Sequence, residues 1–284
     1  MALEFGVIAL VLLAAFLHAS WNALAKTSGD RLVFMALIHI APGALAWAAI
    51  PFVAPPEPAS WPFLTASILI HLFYFWTLIY AYEHGDLSQV YPIARGSAPL
   101  LVALGAWLAA GERLSPAEIL GVAVVSAGIM SLALFGRSWR PGEGRGIVFA
   151  LMTSLAIAGY TVADGMGVRR AGSELGYILW LFAVDCLPVL AFAIWRRRDR
   201  LRAAFGPQLK VGLFGGLLTG TAYGIVIWAM SLGPMAHIIA LRESSVLIAA
   251  AIGTLLLKEP FGRNRIAAAA AVAGGAVLLN AGGG

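Results

Sequence analysis

Ten apolar runs, each close to the length of a membrane span, divide the chain at about 5–25, 32–54, 62–82, 88–110, 116–135, 146–166, 174–195, 207–231, 235–257 and 264–281. A helix needs roughly 20 apolar residues to cross the hydrocarbon core, so the pattern predicts ten transmembrane helices. The breaks between them have physical causes. Pro55, Pro56 and Pro58 end the second run, because proline cannot continue a helix interior. Ser115-Pro116-Ala117-Glu118 reads as a capping box with proline at the first helical position, which opens the fifth run. Gly206-Pro207 opens the eighth. The polar stretches are all short and leave no room for a soluble domain.

One stretch occurs twice. GDLSQVYPIARGSAPLL, GERLSPAE and ILGVAVVSAG, spanning Gly85 to Gly128, return near the C-terminus as GPMAHIIALRESSVLI, KEPFGRNR and IAAAAAVAGG, Gly233 to Gly275. From Arg95 onward the copies align without a gap: Arg95 meets Arg242, Ser97 meets Ser244, Glu112 meets Glu259 and Gly128 meets Gly275. Alanine matched to alanine means little in so apolar a chain. An arginine inside an apolar run and a glutamate after it, both recurring in register, indicate an internal duplication. The expected division is residues 1–137 and 138–284.

Composition sharpens this picture. The chain is 61% hydrophobic and 12% charged, with a mean hydropathy of +0.87. Soluble domains carry about 25% charged residues, so the chain reads as an all-α integral membrane protein. The single cysteine, Cys186, excludes a disulfide framework and a Cys/His cluster. No cofactor, metal or nucleic acid is expected. The 32 glycines predict close helix packing in lipid. Glu4 stands where a signal peptide would be basic, and the first run is span-length, so it is expected to be a retained span.

The net charge of +5 sits in the loops. One set of alternate loops carries Lys26, Arg31, Arg137, Arg140, Arg145, Arg196, Arg197, Arg198, Arg200, Arg202, Lys210, Lys258, Arg263 and Arg265; the other carries Arg113, Arg169 and Arg170. The positive-inside rule places the first set in the cytoplasm and both termini outside. Each half then holds five spans, and an odd number returns the second half upside down. Inverted repeats with a site near the midplane are a recurring plan of secondary transporters.

Ionisable groups in hydrocarbon cost at least a few kcal/mol each and need a reason. Arg95 and Arg242 either snorkel or pair with a neighbour such as Glu243 to hold helices together, or they line a cavity and attract a carboxylate. Pro92 and Pro99 flank Arg95 and make the fourth span a candidate for local irregularity. His71, Tyr74, Leu78 and Tyr82 form a stripe at helical spacing on the third span; His18, Trp21 and Asn22 cluster on the first, Tyr160 and Asp164 on the sixth, Tyr223 and Trp228 on the eighth. Buried Tyr and His want hydrogen-bond partners, so the set either packs helices or lines a polar cavity. Asp185 is open between a proton-coupling carboxylate and a helix-to-helix hydrogen bond. For Glu112 and Glu259 a salt link with Arg113 or Lys258 is expected.

At GERLSPAEILGVAVVSAG and its echo the chain resembles the EamA family of the drug/metabolite transporter superfamily, with Gly111-Glu112 and Lys258-Glu259 matching the pair that ends the fourth and ninth spans. Within that family it is most similar to YddG-type amino-acid exporters. The resemblance implies a ten-helix basket whose cavity is formed by helices 1, 3, 4, 6, 8 and 9, with 5 and 10 outside. Carried over by position, the substrate-binding candidates are His18, Trp21, His71, Tyr74, Leu78, Tyr82, Pro92, Arg95, Ser97, Tyr160, Asp164, Tyr223 and Arg242. The small multidrug-resistance branch uses a glutamate midway along its first span; here only Glu4 and His18 are present, which argues against that exchange chemistry.

The expected function is export of amino acids across the cytoplasmic (inner) membrane by alternating access, with efflux of another small metabolite or drug-like solute as the alternative. An intramembrane enzyme is not expected, since no paired carboxylates or metal spacing occur. Whether the chain works as a monomer or a homodimer stays open.

Overall fold

Proline and small-residue punctuation yields an all-helical chain in which the first eight predicted runs and the tenth become helices with shifted ends, while the ninth breaks within its described residues. The structure, a computed structural model, describes residues 3–27, 31–134, 144–204, 206, 208–249 and 263–281. The helices are α1 (Phe5–Thr27), α2 (Arg31–Ala49), α3 (Trp61–His84), α4 (Leu87–Ala110), α5 (Pro116–Leu134), α6 (Gly144–Val168), α7 (Glu174–Ala204), α8 (Leu209–Leu232), α9 (Met235–Arg242) and α10 (Arg263–Ala281). Two 3-10 turns, Ile50–Phe52 and Pro58–Ser60, bridge α2 to α3. Among the described residues eight helices, α1 to α8, are long and apolar enough to cross a membrane. The expected division between residues 137 and 138 lies outside the described residues.

Helix ends follow their local chemistry. The Ser115 amide donates to Glu118 Oε2 at 2.7 Å, and the Glu118 amide approaches Ser115 Oγ at 3.3 Å, so the capping box forms. Gly111, at φ 67°, closes α4 in the left-handed region while its N–H reaches the Trp107 carbonyl at 3.2 Å. α7 runs past the predicted end at 195, but the backbone leaves helical geometry at Arg197 (φ −142°). The basic extension beyond that break buries Leu201 and Ala204 against Val33, Ala36 and Leu37 of α2.

Neighbouring helices come in pairs related by exchanging the two halves. α3 packs on α6 as α8 packs on α1; α4 packs on α6 as α9 packs on α1; α3 meets α7 as α8 meets α2. The pairs α2–α7, α4–α9 and α5–α10 each join equivalent helices and lie on the pseudo-two-fold. Two five-helix repeats in inverted orientation account for this pattern.

The α5–α10 pair uses the small-residue stripe within the chain. A Cβ on Gly121 would come within 2.9 Å of the Gly275 carbonyl oxygen, and one on Gly275 within 2.8 Å of the Gly121 carbonyl oxygen. The two backbones therefore touch directly, the arrangement small residues permit in lipid.

The fourth span is not the irregular one. α4 runs without interruption through Pro92 and Pro99, whereas its equivalent breaks: α9 stops at Arg242, residues 243 and 244 form a turn, and helix resumes at 245. Tightened bonds mark the break, from the Ser244 amide to the Leu241 carbonyl at 3.0 Å and from the Val246 amide to the Glu243 carbonyl at 3.0 Å. Interrupted helices of this kind line substrate sites in many transporters, because freed backbone groups are tolerated in a membrane only where protein buries them or a cavity hydrates them.

Candidate functional site

A cavity of about 130 Å³ lies between the halves, lined by residues of α1, α2, α3, α4, α6, α7, α8 and α9. α2 and α7 thus join the six helices expected to form it. They contribute Met35, Ile38, His39 and Pro42 from one side, and Leu181, Phe182 and Asp185 from the other.

Its charged centre is a triad. Arg95 Nη2 of α4 meets Glu243 Oε1 at 2.7 Å, and Arg242 Nη2 meets the same oxygen at 3.2 Å. All three side chains are buried, Glu243 completely. Two guanidiniums, always protonated, against one carboxylate leave a net positive charge. The second carboxylate oxygen of Glu243 and the Nε atoms of both arginines have no partner. Buried polar groups are rarely left so, and a carboxylate-bearing solute would satisfy the arginines.

The same cavity has an aromatic wall. His71 stacks on Tyr160 with centroids 4.1 Å apart and planes 15° off parallel. Tyr74 and Tyr223 stand edge-on to Tyr160 at 5.7 and 6.0 Å. The wall is fixed from behind. The His71 Nδ1–H can donate to the Ser67 carbonyl at 3.0 Å, and Asp164 accepts from the hydroxyls of Tyr177, at 3.0 Å, and Tyr223. Trp21 Nε1–H donates to His18 Nδ1 at 3.3 Å on the α1 side, and the Asn22 amide to the His18 carbonyl at 2.8 Å.

The sequence candidates therefore separate by place. His18, Trp21, His71, Tyr74, Arg95, Tyr160, Tyr223 and Arg242 come together on the cavity wall. Asp164 is fully buried behind it and acts through Tyr223. Ser97 lies 2.8 Å from Ser154 Oγ and 2.6 Å from the Ile93 carbonyl, between α4 and α6. Tyr82 packs against the cluster of Ala81, Val90, Ile93, Ala94, Ala133 and Ala150 away from the cavity. Pro92 is buried within α4 and Leu78 is half-buried on α3; neither reaches the lining.

Glu112 takes partners other than those expected of it. Its Oε1 pairs with Arg169 Nη2 at 2.6 Å, and its Oε2 accepts the Met235 amide at 2.9 Å. Arg169 also donates to the carbonyls of Met230, at 2.8 Å, and Gly233, at 2.7 Å. The pair caps the α8–α9 turn from both sides, because the end of α8 and the start of α9 leave backbone groups unpaired there. Glu259 and Lys258 lie outside the described residues.

Residues 5–134 and 144–281 each match the EamA-like transporter family. The chain belongs to that family. It is 30% identical over 261 residues to the uncharacterized protein PA1977 of Pseudomonas aeruginosa, a match covering 90% of this chain and 86% of that protein. The crystal structure of another protein has the same fold, with a TM-score of 0.77 at 17% identity over 96% of each chain.

This EamA-like transporter is a multi-pass membrane protein that moves small solutes, and not an enzyme. Among its described residues no group of His, Cys, Asp and Glu could hold a metal ion. The lining residues outside the substrate-binding candidates include His39, Phe182 and Asp185, the last singled out in the sequence as a proton-coupling carboxylate or a helix-to-helix hydrogen-bonder. Asp185 was visible as a charge in an apolar run, and His39 carries the same signal in α2. Glu243 was visible as the asymmetric partner of Gly96, but its bridging of both arginines was not, since Arg95 is 148 residues away.

Proposed function

We propose that the chain is an exporter of neutral amino acids, including aromatic ones, that works in the cytoplasmic membrane by alternating access. The carrying observation is the triad: Arg95 and Arg242 share one oxygen of Glu243 and keep an unpaired positive charge beside the cavity. A substrate carboxylate fits that charge, for which the guanidinium fork is well shaped. The side chain of the substrate then lies on His71, Tyr74, Tyr160 and Tyr223, whose faces suit apolar or aromatic groups. The break at Glu243 and Ser244 gives the ninth span a hinge next to the bound group. In this reading the arginine-rich loops face the cytoplasm, both termini lie outside, and the 1–137 and 138–284 halves rock about the site.

A second reading, efflux of another small metabolite or drug-like solute, has one observation in its favour. An apolar groove of about 490 Å³ between α1, α2, α7 and α8 shares Pro42, Phe182 and Gly220 with the polar cavity. A long apolar solute could extend into it.

Uptake of radiolabelled amino acids into proteoliposomes separates the two. Competition by neutral amino acids but not by their amides or decarboxylated amines supports the carboxylate site. If no amino acid is moved or competes, the substrate class is wrong.

A further inference from the structure

Asp185 of α7 and His39 of α2 face each other across the cavity wall and take no part in the carboxylate site. His39 Nε2 lies 3.7 Å from Asp185 Oδ2, an ion-pair distance too long for a hydrogen bond. The other ring nitrogen settles what Nε2 is. Nδ1 lies 2.6 Å from the Met35 carbonyl oxygen, which can only accept, so Nδ1 carries its proton there. In a neutral ring Nε2 would then be a bare lone pair turned toward a carboxylate. The other oxygen of Asp185 is buried without a partner, so the carboxylate would have no compensation. One proton removes the conflict, on Nε2 as an imidazolium opposite the carboxylate or on Asp185 itself.

The surroundings hold the two residues in place. Trp47 Nε1–H donates to the Ala183 carbonyl at 2.9 Å and ties α2 to α7 beside the pair. The Phe75 ring of α3 packs edge-on against His39 at 5.4 Å. Other titratable or charged groups among the described residues face this space or stand just behind it, Asp164 among them. On α7, the Cys186 thiol is turned to its own helix, 3.3 Å from the Ala183 carbonyl. His18 Nδ1 accepts from Trp21, and His71 Nδ1 faces the Ser67 carbonyl. Tyr74, Tyr160 and Tyr223 belong to the aromatic wall, and Arg95 and Arg242 are held on Glu243. Two cavity histidines stand near a carboxylate: His71 near Asp164, whose two oxygens already accept from Tyr177 and Tyr223, and His39 near Asp185, one of whose oxygens has no partner.

We propose that His39 and Asp185 form a proton-binding site whose occupancy drives the transporter. One proton from water on the open side binds the pair, and after the halves rock it leaves to water on the other side. Solute moves in the opposite sense, so a proton gradient directed into the cell drives export. Because His39 and Asp185 sit on the two helices paired on the pseudo-two-fold, α2 and α7, protonation changes the attraction between the halves.

The proposal rests on the amino-acid reading for its solute, and the test keeps the two apart. Protein in proteoliposomes is given radiolabelled alanine and phenylalanine, first with label exchanging at equal pH, then with the interior about one pH unit more acidic. Wild-type protein is expected to exchange label and to accumulate it up to about tenfold, the ratio that 1.4 kcal/mol supports. Asp185→Asn and His39→Gln are expected to keep exchange, which shows folding, and to lose accumulation; Asp185→Glu is expected to regain it. In parallel, nitrogen-15 solid-state NMR of histidine-labelled protein in bilayers reads the His39 ring. A proton shared with Asp185 and displaced by Asp185→Asn supports the site. Accumulation that survives in both variants, or a His39 ring with bare Nε2 untouched by Asp185→Asn, overturns the proposal. If wild-type protein exchanges no amino acid at all, the substrate reading falls, while the NMR still decides whether the pair binds a proton.

Discussion

Arg95 and Glu243 lie 148 residues apart in the chain and 2.7 Å apart in the structure. Each comes from the same position-range of a different repeat, and Glu243 occupies the place where the first repeat has Gly96. A sequence duplication that was chemically identical would have put two arginines against each other. The single glutamate makes their approach possible.

Removing that glutamate leaves two buried cations without a partner. Glu243→Ala is expected to destabilise the protein by about 3–5 kcal/mol, the usual cost of breaking a buried pair from one side. Thermal unfolding in detergent, followed by tryptophan fluorescence, checks it. A melting temperature equal to wild type would mean the triad contributes nothing to stability.

Arg242→Ala has a different expected outcome. Arg95 still pairs with Glu243, so the site becomes neutral and the fold is kept. Hydrogen bonds to charged groups contribute about 1.5–3 kcal/mol, so the KM for a carboxylate-bearing solute should rise roughly tenfold to a hundredfold. Solute binding to the purified protein measures this directly. Unchanged affinity with poor folding would make Arg242 structural.

Asp164 acts through two tyrosines, and they should separate. Tyr177→Phe removes one donor from a fully buried carboxylate, at a cost of about 1–3 kcal/mol in stability. Transport by the folded fraction is expected to be normal, since Tyr177 does not line the cavity. Tyr223→Phe should affect both, because its hydroxyl meets Asp164 while its ring faces the cavity. Equal transport defects per folded molecule would contradict this division.

Three glycines make a controlled comparison. Gly121→Val and Gly275→Val force side chains into the α5–α10 backbone contact, and overpacking of this kind costs about 1–3 kcal/mol or more. Gly274→Val, one residue away, meets nothing within 4 Å and should be tolerated. Thermal stability of the three purified variants decides it; a destabilised Gly274→Val would show that glycine matters there for another reason.

Glu112→Gln is expected to loosen the α8–α9 turn, because Arg169 loses its carboxylate while keeping its two carbonyl acceptors. The partly exposed position limits the loss to about 1 kcal/mol or less. Hydrogen exchange at the Met235 amide, which Glu112 Oε2 accepts, should quicken. No change in that exchange would show the pair to be dispensable.

What the sequence determined by itself follows from short-range physics. Span length against bilayer thickness located α1 to α8, the Ser115–Glu118 box opened α5, and the register of Arg95 with Arg242 exposed the duplication. Five spans per half then required inversion by parity alone. Tertiary structure decided everything that depends on which helix faces meet. It carried His71 onto Tyr160, brought α2 and α7 to the cavity with His39 against Asp185, hid Asp164 behind Tyr223, and sent Glu112 to Arg169. A uniformly apolar helix carries little periodic signal about which face is inward, because lipid and protein interior are equally apolar. The break in the ninth span had the same cause: α4, with two prolines, runs through, while α9, with none after its start, opens at Glu243 where two arginines from different repeats converge.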